Sequence, residues 1–246
     1  MPTAPFAPTA MTLPTPDAAL SHLDNAIWRA LTTCQAGIAL GGDLARRFEP
    51  AISPFGALAA DTPQAWRALA ALMAPGETVK MFGTTPWRPP GDFEIEGQGT
   101  QGIMILRVPC EDGEHHADGG IERLGAGHAR EIAELVALAQ PGPFTPRTPE
   151  MGRYYGILQH GALVAMAGER LHLPGFTEIS AVCVHPGHRG RRYAERLVRF
   201  AAKQIAARAE MPFLHVFAAN TGAIALYGKL GFALRRPLQA VTLARR

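Results

Sequence analysis

The sequence predicts a mixed α/β protein: a mostly antiparallel central sheet flanked by helices, preceded by a smaller N-terminal α/β unit. Three observations carry this. From residue 121 onward, apolar stretches of strand length alternate with stretches of helical period in the order β-α-βββ-α-β-α-β. The three consecutive strands are joined by tight turns, which only antiparallel neighbours allow. Before residue 121 the apolar runs are shorter and less regular. The 246 residues suffice for one large or two small domains. The expected divisions are a loose tail at 1–20, an N-terminal unit at 21–118 and the main domain at 119–246.

The first sixteen residues, MPTAPFAPTAMTLPTP, are rich in Pro, Ala and Thr and carry no charged side chain. They lack the basic start and compact apolar run of a signal peptide. Helix signals follow at 24–31 and after Thr62-Pro63, where threonine can cap and proline suits the first turn. Short apolar runs at 37–40, 78–82 and 102–108 supply candidate strands. The polar segment EDGEHHADGG (111–120) reads as a linker. His115 and His116 beside Asp118 lack further ligands at zinc-like spacing, so no metal is expected.

In the main domain, IERL (121–124) reads as a strand, and 128–140 as an amphipathic helix with Ile132, Leu135, Val136 and Ala139 on one stripe. The four prolines of PGPFTPRTP (141–149) impose a loop. Turns at 159–161 and 174–175 separate the three strands of the meander, the last being FTEISAVCVH (176–185). Tyr193, Ala194, Leu197, Val198, Ala201 and Ile205 recur at helical spacing. A strand at 212–218, a helix opened by Asn220 and closed near Gly231, and closing strands complete the chain.

Hydrophobic residues make up 47% of the chain and mean hydropathy is near zero, as in ordinary globular proteins. No apolar run is long enough to span a bilayer, so no membrane partner is expected. Cys34, Cys110 and Cys183 are odd in number and far apart, which argues for a reducing, cytoplasmic setting. Net charge is only +3, but it is unevenly placed. Residues 185–246 hold 12 Lys/Arg and 2 Asp/Glu, a balance of +10, while the rest hold 12 and 19, a balance of −7. The asymmetry points to an anionic partner for the C-terminal quarter. Few aromatics interleave these basic residues, which argues against nucleic acid.

The segment HPGHRGRRYAERL (185–197) places Arg189, Arg191 and Arg192 at a helix start. Unpaired N–H groups and a partial positive charge suit such a start to a phosphate, and Gly190 allows close approach. A solvated basic helix end explains the same residues equally well. Neither a Walker A loop nor a dinucleotide fingerprint is present.

A second segment tips the balance. VCVHPGHRGRRYA followed by NTGAIALYGKLGF resembles the GNAT superfamily of N-acetyltransferases over about residues 121–236. The family's Arg/Gln-x-x-Gly-x-Gly/Ala helix opening falls on Arg189, Gly190, Arg191, Arg192, Tyr193 and Ala194. Its Asn-x-x-Ala-x-x-Leu-Tyr-x-x-x-Gly-Phe motif falls on Asn220, Ala223, Leu226, Tyr227, Gly231 and Phe232. The departure is Arg192, where the family usually has glycine; a helical, negative φ would tolerate arginine there.

The resemblance implies a GNAT fold, acetyl-CoA as cosubstrate and a small amine as acceptor, with homodimerisation left open. It implies a coenzyme groove between the strand ending near Val184 and the strand 212–218, which the family splays apart. Backbone N–H groups at Val182, Cys183 and Val184 would meet the thioester and pantetheine, with Cys183 a small core residue. Asn220, Ala223 and Tyr227 would complete the coenzyme site. Glu178, on the strand leading to the cradle, would be the base that deprotonates the amine, directly or through a water; a structural carboxylate paired with an arginine is the alternative. Tyr227 would protonate the departing thiolate. In the acceptor loop, Phe144 and Arg147 are the candidate substrate contacts, Arg147 for a carboxylate. The long N-terminal region resembles that of glycine N-acyltransferase-like members, and could itself be a degenerate half of the same fold. A coenzyme A-binding protein without turnover is the rival reading.

Overall fold

The computed structural model describes residues 17–108 and 120–246. Residues 1–16 of the expected tail, and residues 109–119 with most of the expected linker at 111–120 and its His115, His116 and Asp118, lie outside the described residues. The first half builds α1 (Asp17–Leu20), α2 (Ala26–Thr32), β1 (Ala39–Gly41), β2 (Ala45–Phe48), β3 (Gly56–Leu58), α3 (Pro63–Ala71), β4 (Thr78–Gly83) and β5 (Phe93–Leu106). The second half builds β6 (Ile121–Leu124), α4 (Ala129–Ala139), β7 (Tyr154–Gln159), β8 (Ala162–Leu173), β9 (Phe176–Val184), α5 (Tyr193–Ala206), β10 (Met211–Phe217), α6 (Thr221–Lys229) and β11 (Phe232–Arg245). The run at 37–40 is no full strand: a 3₁₀ turn at Ala36–Ile38 precedes the three residues of β1.

Local chemistry explains the boundaries. Thr62 accepts a hydrogen bond from the Ala65 N–H and Pro63 opens α3. His160 and Gly161 both have positive φ, the geometry of a two-residue hairpin turn, and they join β7 to β8. Pro174-Gly175 places glycine at positive φ in the turn from β8 to β9.

Eight strands form one sheet in the order β4-β11-β5-β10-β9-β8-β7-β6, all antiparallel except the β9–β10 pair. β1, β2 and β3 form a small sheet of their own. β5 lies between β10 and β11, so the boundary anticipated near residue 119 runs through a continuous sheet. A strand there is buried on both faces, which matches the unbroken apolar run Ile103–Leu106.

Helices cover both faces. α5 packs on one through Leu197, Val198, Ala201 and Ile205, beside Leu214 and Val216 of β10. α2 covers the other through Leu23-flanked Ile27 and Leu31, beside Phe213, while α4 seats Ile132 and Leu135 against Met166 and Cys183. Strand alternation therefore turns His215 toward the α2 side, with Phe213.

The fold also answers much of the charge asymmetry. Arg235 and Arg236 pair with Asp24, Arg208 with Glu169, and Arg246 approaches Glu94. Much of the anionic partner of the basic quarter is thus the chain's own acidic part. Arg189, Arg191 and Arg192 have no carboxylate partner among the described residues. The uncompensated charge collects at the start of α5.

Candidate active site

β9 and β10 pair over only three positions, Met211↔Phe176, Pro212↔Thr177 and Phe213↔Glu178. Beyond them the strands part. β9 keeps its partner on the other side, with one irregularity: Cys183 faces Met166 and Ser180 faces Gly168, so β9 carries an extra residue at Ala181–Val182. Ala181 sits at φ 52 to accommodate it. The bulge bends β9 away at the point where the splay begins.

Two cavities of about 470 and 450 Å³ adjoin through Ala139 and Val182. The first lies at the start of α5, bordered by Arg189, Gly190, Arg191, Arg192, Tyr193 and Ala194 together with Cys183 and Val184. The second lies in the splay and reaches Asn220, Ala223 and Tyr227 of α6 on one side and Phe55, Lys80, Phe82, Arg170 and His215 on the other. Each residue expected at the coenzyme site borders one of the two. The first intrahelical bond of α5 runs from the Arg196 N–H to the Arg192 carbonyl, so the N–H groups of Tyr193 and Ala194 precede the helical ladder. Asn220 spends its side-chain oxygen as the cap of α6, accepting from the Ala223 N–H at 3.1 Å.

Arg192 departs from expectation. It stands at φ 58, ψ 20, in the left-handed region, as the residue just before α5. The helix has not begun there, so negative φ does not explain the tolerance of arginine. This is a conformation that favours glycine.

Glu178 also departs. It is fully buried on β9. Arg170 grips it twice, Nε to Oε2 at 2.9 Å and Nη2 to Oε1 at 2.5 Å, and His215 Nδ1 lies 2.7 Å from Oε1. A bulge aligns the pair: β8 carries an extra residue at Arg170–Leu171 opposite Glu178. Although burial opposes ionisation, the Arg170 charge and the hydrogen bonds from Arg170 and His215 hold the carboxyl down at about 2. A carboxylate so engaged is a poor proton acceptor. The arrangement matches the alternative reading of Glu178, a carboxylate paired with an arginine.

The loop residues Arg147 and Phe144 have partners of their own. Arg147 is exposed and its guanidinium is taken by Glu49 at 2.6 Å and by both oxygens of Glu150. Phe144 packs edge-on against Tyr154, ring centroids 5.9 Å apart. Neither borders the cavity; Gln140, Pro141, Gly142 and Pro143 do. Tyr227 is buried in the core formed with α5, and desolvation pushes its phenol up to about 12. Burial raises the Cys183 thiol to about 12 as well.

Sequence reasoning missed Arg170, His215, Lys80, Phe55 and Phe82. The available signal for two of them was a lone polar residue in an apolar strand: His215 in PFLHVFA and Arg170 in ALVAMAGERLHL.

A protein from Novosphingobium aromaticivorans DSM 12444, assigned to the GNAT family of acetyltransferases, is 34% identical, with 91% of this chain and 98% of that one covered at a TM-score of 0.84. The chain belongs to the GNAT family. Residues 154–241 match the family described as FR47-like protein. A GCN5-related N-acetyltransferase from Kribbella flavida shares the GNAT fold at 17% identity and TM-score 0.56, over 89% of this chain and 95% of its own. So does a tandem GNAT protein from the clavulanic acid biosynthesis pathway, at 14% identity and TM-score 0.52, over 80% and 77%. No curated protein sequence matches. GNAT membership implies acyl transfer from acetyl-CoA. Among the described residues no group of His, Cys, Asp and Glu is placed to hold a metal ion, and no helix is long and apolar enough to cross a membrane.

Proposed function

We propose that the protein transfers the acetyl group of acetyl-CoA to the primary amine of a small molecule or amino acid by direct attack on the thioester. The cavity between the splayed strands carries this reading. It joins an arginine-rich helix start to a polar pocket holding Lys80, Arg170 and His215, with Tyr227 on its wall. The coenzyme pyrophosphate would lie at residues 189–194, where N–H groups and unpaired arginines converge. Backbone N–H groups at 182–184 would polarise the thioester carbonyl. Tyr227, protonated at neutral pH, would give its proton to the thiolate, whose ordinary pKa is about 8.5. Cys183 stays a buried thiol and is no nucleophile, which favours direct attack over an acyl-enzyme.

The acceptor end is built by the N-terminal unit, from Phe55, Lys80 and Phe82. Lys80 is half-buried and has no carboxylate partner among the described residues. A cation so placed suits an acceptor bearing a carboxylate, such as an amino acid, in keeping with the resemblance to glycine N-acyltransferase-like members. The test is calorimetric binding of acetyl-CoA together with thiol release across amino acids, diamines and arylalkylamines. Binding together with amine-dependent thiol release supports the proposal. Binding with no amine-dependent release would leave a coenzyme A-binding protein without turnover.

A further inference from the structure

Glu178 is engaged by Arg170 and His215, and an ammonium acceptor needs a group to take its proton. One buried side chain on the cavity wall has the geometry for it. His215 is 2% exposed at its side chain, borders the cavity, and points Nδ1 at the Glu178 carboxylate. Its other ring nitrogen, Nε2, is buried and has no hydrogen-bond partner among the described residues. Buried polar atoms are nearly always satisfied, so an unsatisfied nitrogen on a residue that borders the cavity is a candidate to meet a group that binds there. The ring cannot turn freely: Phe82 packs at 4.9 Å and Phe213 at 5.8 Å between centroids.

An ionised carboxylate only accepts hydrogen bonds, so Nδ1 carries the ring proton and a neutral His215 presents a lone pair at Nε2. Arg170 in turn fixes Glu178 by its two-pronged grip. We propose that His215 Nε2 is the base that accepts the acceptor amine's proton, with Glu178 and Arg170 as positioning residues that fix the ring's tautomer and direction. This rests on the acetyl-transfer reading above. His215 Nε2 takes a proton from the ammonium, and the freed amine nitrogen bonds to the thioester carbon as the C–S bond breaks. The sulfur takes the Tyr227 proton, and the surplus proton on the new amide nitrogen passes through solvent to the Tyr227 oxygen. His215 gives its proton to solvent, which restores both groups and leaves the amide, free coenzyme A and one proton. Glu178 of β9 is bonded to His215, and the other charged or titratable groups on the same cavity are Arg170 of β8, Lys80 of β4 and Tyr227 of α6; Tyr154 of β7 adjoins the Arg170–Glu178 pair.

The experiment compares wild type with His215→Gln, using acetyl-CoA, the best amine of the panel and a second amine of different pKa. Thermal melting and coenzyme calorimetry confirm that the variant folds and binds. His215→Gln is expected to lose about 10²- to 10⁴-fold in kcat with little change in the acetyl-CoA KM. The rising limb of its pH profile should move to the amine's own pKa, whereas in wild type it reports an enzyme group common to both amines. An unchanged kcat and pH profile in a folded variant overturns the base while leaving acetyl transfer intact. Wild type inactive across the whole panel overturns the acetyl-transfer reading and the base with it. If the variant fails to fold, ¹⁵N-histidine NMR of wild type at pH 7.5 decides: an unprotonated Nε2 supports the proposal, and a protonated Nε2 overturns it.

Discussion

Replacing Arg192 by glycine separates backbone strain from ligand charge at one position. Arg192 holds φ 58, ψ 20 immediately before α5 and makes no capping hydrogen bond with its side chain. A residue with a Cβ in this region costs roughly 1–2 kcal/mol that glycine does not incur. Glycine costs about 0.5–1 kcal/mol in lost freedom on folding. The balance is a gain of about 0–1.5 kcal/mol, and for a chain of this size each kcal/mol moves Tm by about 2–4 °C. Arg192→Gly should therefore hold or raise the melting temperature by up to about 6 °C. Arg192→Ala is the control: it keeps the strain and loses the charge, so it should melt at or below Arg192→Gly. Against acetyl-CoA, loss of one exposed cation beside Arg189 and Arg191 should weaken binding by less than about tenfold. The loss should shrink in 1 M salt, where the screening length is only about 3 Å. Differential scanning calorimetry and titration calorimetry at two salt concentrations read both effects. A Tm of Arg192→Gly below that of Arg192→Ala would refute the strain argument. A tenfold gain in acetyl-CoA affinity would refute the cradle as drawn, because the arginine would then be blocking it.

Tyr227→Phe keeps the ring and removes the proton, so turnover should fall by about 10²- to 10⁴-fold with coenzyme affinity nearly unchanged, read by steady-state kinetics and calorimetry. Glu178 should make the fold acid-sensitive. Its carboxyl lies at about 2 against an ordinary 4.5, so its contribution, roughly 3 kcal/mol at 1.36 per pH unit, is present above the ordinary value and lost as pH falls toward 2. Glu178→Gln should melt lower at pH 7, since it strands the Arg170 charge. Its Tm should also change less between pH 5 and pH 2.5 than that of wild type; parallel curves would refute the assignment. Lys80→Met should raise KM for amino-acid acceptors more than for uncharged amines of similar size, and an equal change for both would remove Lys80 from acceptor recognition.

The sequence by itself determined the parts whose cause is local. The turns at 159–161 and 174–175 are written in residues that accept positive φ, and the stripe from Tyr193 to Ile205 specifies a helix buried on one side. The spacings around Arg189–Ala194 and Asn220–Phe232 marked the resemblance to the GNAT family because they match that family's motifs. Tertiary structure decided whatever depends on partners distant in the chain. The insertion of β5 between β10 and β11 joins residues more than a hundred apart, and no local period encodes it. Arg147 read as an open cation until the fold brought Glu49 to it. Arg170, Glu178 and His215 come from three strands, and only two bulges and the alternation of β10 turn them toward one another. A carboxylate on a strand is a base or an anchor according to what stands opposite it. Strand pairing across the sheet sets that, and the residues on either side of Glu178 do not.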